Sequence, residues 1–109
     1  MKRGEIWTVA AGSGYGGKPR PAVIVQDDNF DATASVTLCL ITSQQVEAGY
    51  VRPVIVPSAS NGLRTDSAVM VDKIVTVPRS KVGRKVGVLS PADLGRIEQA
   101  MLVFLGLAG

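Results

Sequence analysis

Short apolar runs separated by turn residues set the pattern of this chain. Glu5-Ile6-Trp7-Thr8-Val9 mixes polar and apolar positions with β-branched and aromatic residues, which predicts a half-buried first strand. Pro21-Ala22-Val23-Ile24-Val25 is almost wholly apolar and reads as a more buried second strand, ended by Asp27-Asp28-Asn29. Ser35 to Thr42 is the clearest strand of the sequence. Arg52 to Pro57 predicts a further strand whose bounding prolines place it at an edge or an end. Ser67 to Asp72 and Ile74 to Val77 read as one long strand, bent or bulged near Asp72-Lys73, and Lys85 to Leu89 as a short last one.

After Leu89 the period changes. Ser90 suits an N-cap, Pro91 suits the first helical position, and Asp93 stands where it can answer the free N–H groups of the first turn. Leu94, Ile97, Met101, Phe104 and Leu105 then share one helical face, with Gly106 near the end. Short strands with Gly, Pro, Asn and Asp turns, followed by one helix, predict a mainly β domain: a small antiparallel barrel or sandwich capped by a C-terminal α-helix.

With 109 residues and no internal repeat, residues 1–109 read as a single domain, able to bury roughly two-thirds of its unfolded surface without disulfides. The N-terminus carries basic residues but runs straight into an acidic, mixed pattern and shows no signal-peptide core. Apolar runs such as Met101 to Leu105 fall far short of the about 20 residues that span a bilayer, so a cytoplasmic protein is expected. The absence of His and the single Cys39 exclude imidazole acid–base chemistry and the common zinc ligand sets, and neither a metal nor another cofactor is expected. Cys39 reads as a core residue.

The net charge of +3 is unevenly spread. Lys2, Arg3, Lys18 and Arg20 near the start, and Lys73, Arg79, Lys81, Arg84 and Lys85 later, flank a middle segment rich in Asp. Folded together, the two basic segments would form a patch that attracts phosphates; left apart, they are ordinary surface charge. One Trp, two Tyr and two Phe are too few for a stacking platform, so any bound RNA would be held mainly by hydrogen bonds and by Arg or Tyr contacts.

Gly12-x-Gly14-x-x-Gly17 matches the dinucleotide-binding spacing, but that motif must lead into a helix, and here Lys18-Pro19-Arg20-Pro21 enforces extended backbone. A loop over a site is the better reading. Arg20 stands between two prolines at the mouth of a buried strand, so its backbone is held and its guanidinium aimed. It can grip a phosphate with two hydrogen bonds, or pair with a carboxylate at a strand end. Thr42 and Ser43 end the other buried strand, where hydroxyls either cap a turn or face a ligand.

Arg3 to Trp7, the glycine-rich loop, Arg20-Pro21-Ala22-Val23-Ile24-Val25-Gln26, Ile41-Thr42-Ser43, Ser67 to Ile74, Val75 to Arg79 and Val86-Gly87-Val88-Leu89, taken in this order, resemble the MazF/PemK/Kid family of toxin–antitoxin endoribonucleases nearly end to end. The resemblance implies an SH3-like β-barrel with a terminal helix, a homodimer, metal-independent cleavage of single-stranded RNA at short motifs, and a cognate MazE-like antitoxin. It also implies Arg20 and Thr42 as catalytic residues, with Ser43 beside them. The fold is shared with the CcdB gyrase poisons, which cut no RNA, and a growth inhibitor of that kind is the alternative. An inert interaction module on the same fold is a third.

In such cleavage the ribose 2′-OH attacks the adjacent phosphorus and leaves 2′,3′-cyclic phosphate and 5′-OH ends. Arg20 would offset the phosphorane charge and Thr42 would bond a non-bridging oxygen. Arginine stays protonated at neutral pH and makes a poor base, so no residue is assigned to take the 2′-OH proton. The chain departs from parts of the family in its first loop, where Tyr15 and glycines replace a glutamate, and at Met70, where the PemK/Kid branch carries an arginine. Asp72 keeps that branch's neighbouring acid and also suits an ion pair with Lys73. Candidates for RNA contact are Tyr15, Lys18, Ser43, Lys73 and Arg79.

Overall fold

A computed structural model describes residues 1–10, 18–44 and 51–108. Strands β1 (Glu5–Ala10), β2 (Pro19–Ile24), β3 (Ser35–Thr42), β4 (Val54–Ile55), β5 (Ser67–Pro78) and β6 (Val82–Val88) precede one helix, α1 (Pro91–Phe104). They form a single sheet in the order β4-β5-β3-β2-β1-β6, antiparallel at every pairing. The sheet curls into a half-barrel, in agreement with the mainly β expectation.

Alternation along the strands divides the apolar residues between two cores. Ile6, Val23, Cys39, Ile41, Val69 and Val71 fall in one cluster, on which α1 lays Ile97 and Ala100. Val9, Ala22, Ile24, Val36, Leu38, Leu40 and Met70, the neighbours in sequence, fall in the other. Successive residues of a strand point to opposite faces, so the curled sheet is buried on both. This explains why β2 and β3 read as continuous apolar runs.

β5 changes faces part-way. Val69 and Val71 belong to the first cluster, yet so does Ile74, while Val75 belongs to the second. The register shows the cause: Cys39 pairs with Ile74 and Ile41 with Val69, so two residues of β3 are matched by five of β5. The irregularity falls between Val69 and Ile74, a stretch that includes the Asp72-Lys73 position expected from the sequence.

β4 is shorter than expected, only Val54–Ile55, and lies at the sheet edge beside Ser67 and Ala68. β6 begins at Val82, earlier than the sequence suggested, after a 3₁₀ turn over Arg79–Lys81. The two end strands meet through the turn at residues 58–62: the Val88 N–H donates to the Ser60 carbonyl at 2.8 Å, and Asn61 Nδ2 donates to the Val56 carbonyl at 2.9 Å. Contact is so close there that a Cβ at Gly87 would overlap the Ser60 and Asn61 backbone. Gly62, at φ +70°, turns the chain beside the Val86 carbonyl, where a side chain has neither the space nor the backbone conformation.

The Ser90 side chain caps α1 by accepting the Asp93 N–H at 3.1 Å. Ile97 and Ala100 are buried, but Phe104 and Leu105 remain 46% and 51% exposed, contrary to the face expected from spacing. The helix outruns the core: Met101 is the last residue packed against it. Among the described residues no helix is long and apolar enough to cross a membrane.

Candidate active site

The β2–β3 ladder pairs Ile24 with Leu38, Val23 with Cys39 and Ala22 with Leu40. Carrying that register two residues further sets Arg20 opposite Thr42. Pro21, between the last ladder pair and this one, has no N–H to give either neighbouring strand. Arg20 and Thr42 lie on the same face as Ala22, Ile24, Leu38 and Leu40, at the end of the second core, and both line a cleft of about 210 Å³.

Leu40 and Met70, each almost fully buried, give the cleft an apolar side. Arg52, Lys73 and Gln44 complete its polar rim with Arg20 and Thr42. The β5 bulge is what brings Met70 and Lys73 to one cleft, because residues three apart on a regular strand face opposite ways.

Thr42 Oγ accepts the Gln44 N–H at 3.1 Å, so it does cap the turn, yet a hydroxyl that accepts one bond keeps its O–H to donate. Arg20 is half-buried and its Nε is screened from solvent. Arg52 forms a two-pronged pair with Asp72, at 3.0 and 2.9 Å. That guanidinium holds the Asp72 carboxyl below the ordinary carboxylate value. Asp72 is therefore bonded to Arg52 and not to its neighbour Lys73. Three cationic side chains line the cleft and, among the described residues, no carboxylate does.

The predicted RNA contacts separate into groups. Lys73 joins Arg20 and Thr42 in the cleft, and Ser43 is exposed beside Thr42. Lys18 lies in a neighbouring cleft with Thr8, Pro19, Gly83 and Arg84. Arg79 is elsewhere: its guanidinium donates to the carbonyls of Asp31 and Thr33 and touches Met1 Sδ, tying the β5–β6 turn to the loop before β3. Tyr15 and the glycine motif lie outside the described residues. Arg52 and Gln44 were missed by sequence reasoning. The signal for Arg52 was present, since Arg52-Pro53 repeats the cation-before-proline arrangement of Arg20-Pro21 at the mouth of another strand.

Residues 2–105 match the family described as PemK-like, MazF-like toxin of type II toxin–antitoxin system. The chain belongs to this family. The probable endoribonuclease MazF of Mycolicibacterium smegmatis is 50% identical over the full length of both chains. Endoribonuclease MazF9 of Mycobacterium tuberculosis is 29% identical over 98% of each. An endoribonuclease solved in complex with its cognate antitoxin, from a mycobacterial species, superposes with a TM-score of 0.84 at 22% identity, covering 100% of this chain and 98% of that one. The toxin fold thus extends over the whole sheet and helix described above.

Proposed function

We propose that the Arg20–Thr42 cleft is the cleavage centre of an endoribonuclease toxin that cuts single-stranded RNA without a metal. One observation carries this: two residues 22 positions apart in sequence, at the ends of the neighbouring strands β2 and β3, line one cationic cleft. The endoribonuclease names of the full-length relatives support the same reaction class.

In this reading the scissile phosphate sits between Arg20 and Thr42. The ribose 2′-OH gives its proton to solvent as its oxygen bonds to phosphorus, the bond to the 5′-oxygen breaks and that oxygen takes up a proton from solvent or Arg20, and the products carry a 2′,3′-cyclic phosphate and a 5′-OH. Arg20 neutralises the charge that grows on the non-bridging oxygens, and the Thr42 O–H donates to one of them. Lys73 adds positive charge from the β5 bulge, Ser43 and Lys18 contact the flanking chain, and Tyr15 is a further proposed RNA contact. The hydrogen bonds of Arg79 to carbonyls favour a structural role for it.

The antitoxin-bound solved relative supports a cognate MazE-like antitoxin as the protein partner, within a cytoplasmic toxin–antitoxin pair. A homodimer of one-domain chains, residues 1–109, is the assembly proposed.

The deciding experiment incubates wild type and Arg20→Ala with a long, defined single-stranded RNA in excess EDTA and maps the new termini. Discrete cuts with cyclic-phosphate ends, absent from the variant, are expected. Thr42→Val should slow cleavage by about 10²-fold, the usual effect of removing one oxyanion donor. RNA left intact by the wild type, or cut within a few-fold of wild type by Arg20→Ala, overturns the assignment.

A further inference from the structure

β1 and β6 are out of step at one place. Trp7 pairs with Lys85 and Val9 with Val82, so two residues of β1 face three of β6. Thr8 fixes this bulge: its Oγ1 accepts the Arg84 N–H at 3.0 Å, and the approach is possible because Gly83 has no Cβ to meet that oxygen. The extra residue throws Arg84 outward. It lands between two clefts that share Thr8 and Arg84, one reaching Lys18 and Pro19, the other reaching Arg64, Lys85 and Leu63.

Cations from three chain segments thus border one groove, and no carboxylate lines it among the described residues. Glu5 holds Lys85 at 2.9 Å, but no acid among the described residues holds Arg64 or Arg84. Among the described residues, the large exposed apolar side chains, Phe30, Val54, Val56, Val88 and those of residues 102–107, all lie outside it. Such a groove offers charge and few apolar anchors, which suits a sugar–phosphate backbone better than an apolar peptide segment.

Its position agrees. Pro19 and Pro21 line the groove while Arg20, between them, lines the cleavage cleft, so the start of β2 is the wall separating the two. We infer that the Lys18–Arg84–Arg64 groove is a second phosphate track, holding the RNA strand that continues past the phosphate at Arg20. This rests on the RNA-cleavage reading above and extends it to a surface on the other face of β2.

The test compares wild type, Arg64→Gln/Arg84→Gln, and Lys2→Gln/Lys81→Gln, which removes equal charge elsewhere. The probe is a fluorescein-labelled random-sequence 24-nucleotide single-stranded RNA, and the readout is anisotropy across a salt titration. The track predicts that Arg64→Gln/Arg84→Gln weakens binding by about tenfold at low salt and flattens the salt slope by about two, while the control pair shows the wild-type slope. Arg64→Lys/Arg84→Lys should restore most of the affinity and slope. Unchanged affinity and slope in Arg64→Gln/Arg84→Gln overturn the track even if the wild type cuts RNA. So does a loss confined to an acidic probe, poly-glutamate, which would assign the groove to a protein partner. Failure of the wild type to cut the long RNA overturns the underlying function instead, and the two failures are told apart by running both assays.

Discussion

Arg52, just before the edge strand β4, donates two parallel hydrogen bonds to Asp72 in the bulge of β5, from Nε at 3.0 Å and Nη2 at 2.9 Å. Both side chains are largely withdrawn from solvent, at 17% and 27% exposure. The pair therefore fastens the chain entering β4 to the irregular part of β5 that lines the cleavage cleft.

Asp72→Asn keeps the shape and removes the charge. A loss of about 1–3 kcal/mol is expected near neutral pH, the usual range for a hydrogen-bonded charged group. Because pairing lowers the folded carboxyl's pKa, its contribution is present above the unfolded value and is lost as pH falls through the folded one. Urea midpoints of variant and wild type should converge on acidification. Equal midpoints at pH 7 would show that the pair adds nothing to stability.

Glu5 is a sharper case. Burial pushes its carboxyl up, but the Lys2 N–H at 2.7 Å, Lys85 at 2.9 Å and the Trp7 indole N–H at 3.0 Å outweigh it and bring the value down to about 2. Glu5→Gln should melt below wild type at pH 7, with the gap closing between the ordinary value of 4.5 and about 2. A gap that persists at pH 2 would rule out ionisation as its source.

Cys39 is fully buried, and burial, with the Asp72 charge adding to it, pushes the thiol up to about 12. Ellman's reagent at pH 8 should label it only as the chain opens, at a rate that rises with urea. Native-state labelling within tenfold of the unfolded rate would mean that β3 is not closed as described.

Two glycines give opposite outcomes. Gly87→Ala forces a methyl into the Ser60–Asn61 backbone and should cost about 3 kcal/mol or more. Gly95, in the middle of α1 with nothing within 4 Å of its missing Cβ, should gain about 0.5–1 kcal/mol on replacement by Ala. Thermal unfolding of both variants tests the closure of the half-barrel and the exposure of that helix face together.

The sequence made the strands of the two cores legible because β-branched runs bounded by Pro and Gly leave few alternatives, and Ser90-Pro91 marked the helix start. Arg20 and Thr42 stood out one at a time, each at a strand end. Their pairing did not, because it depends on the β2–β3 register, which local residue types leave open. Phe104 and Leu105 misled for a related reason: helical spacing says which residues share a face, not how far the core beneath it extends. Arg79 counts as a candidate RNA contact in the sequence, since a bond to a backbone carbonyl leaves no mark in composition.

The break in β5 also separates two kinds of evolutionary freedom. Upstream and downstream of it, each residue is committed to one core, and changing its size disturbs packing on a whole face. Met70 still fills the second core, but Lys73 is exposed where the pleat is already interrupted, so the cleavage cleft can exchange Lys73 for another side chain without shifting the strand. A toxin lineage could thereby retune what the cleft accepts while inheriting its barrel intact.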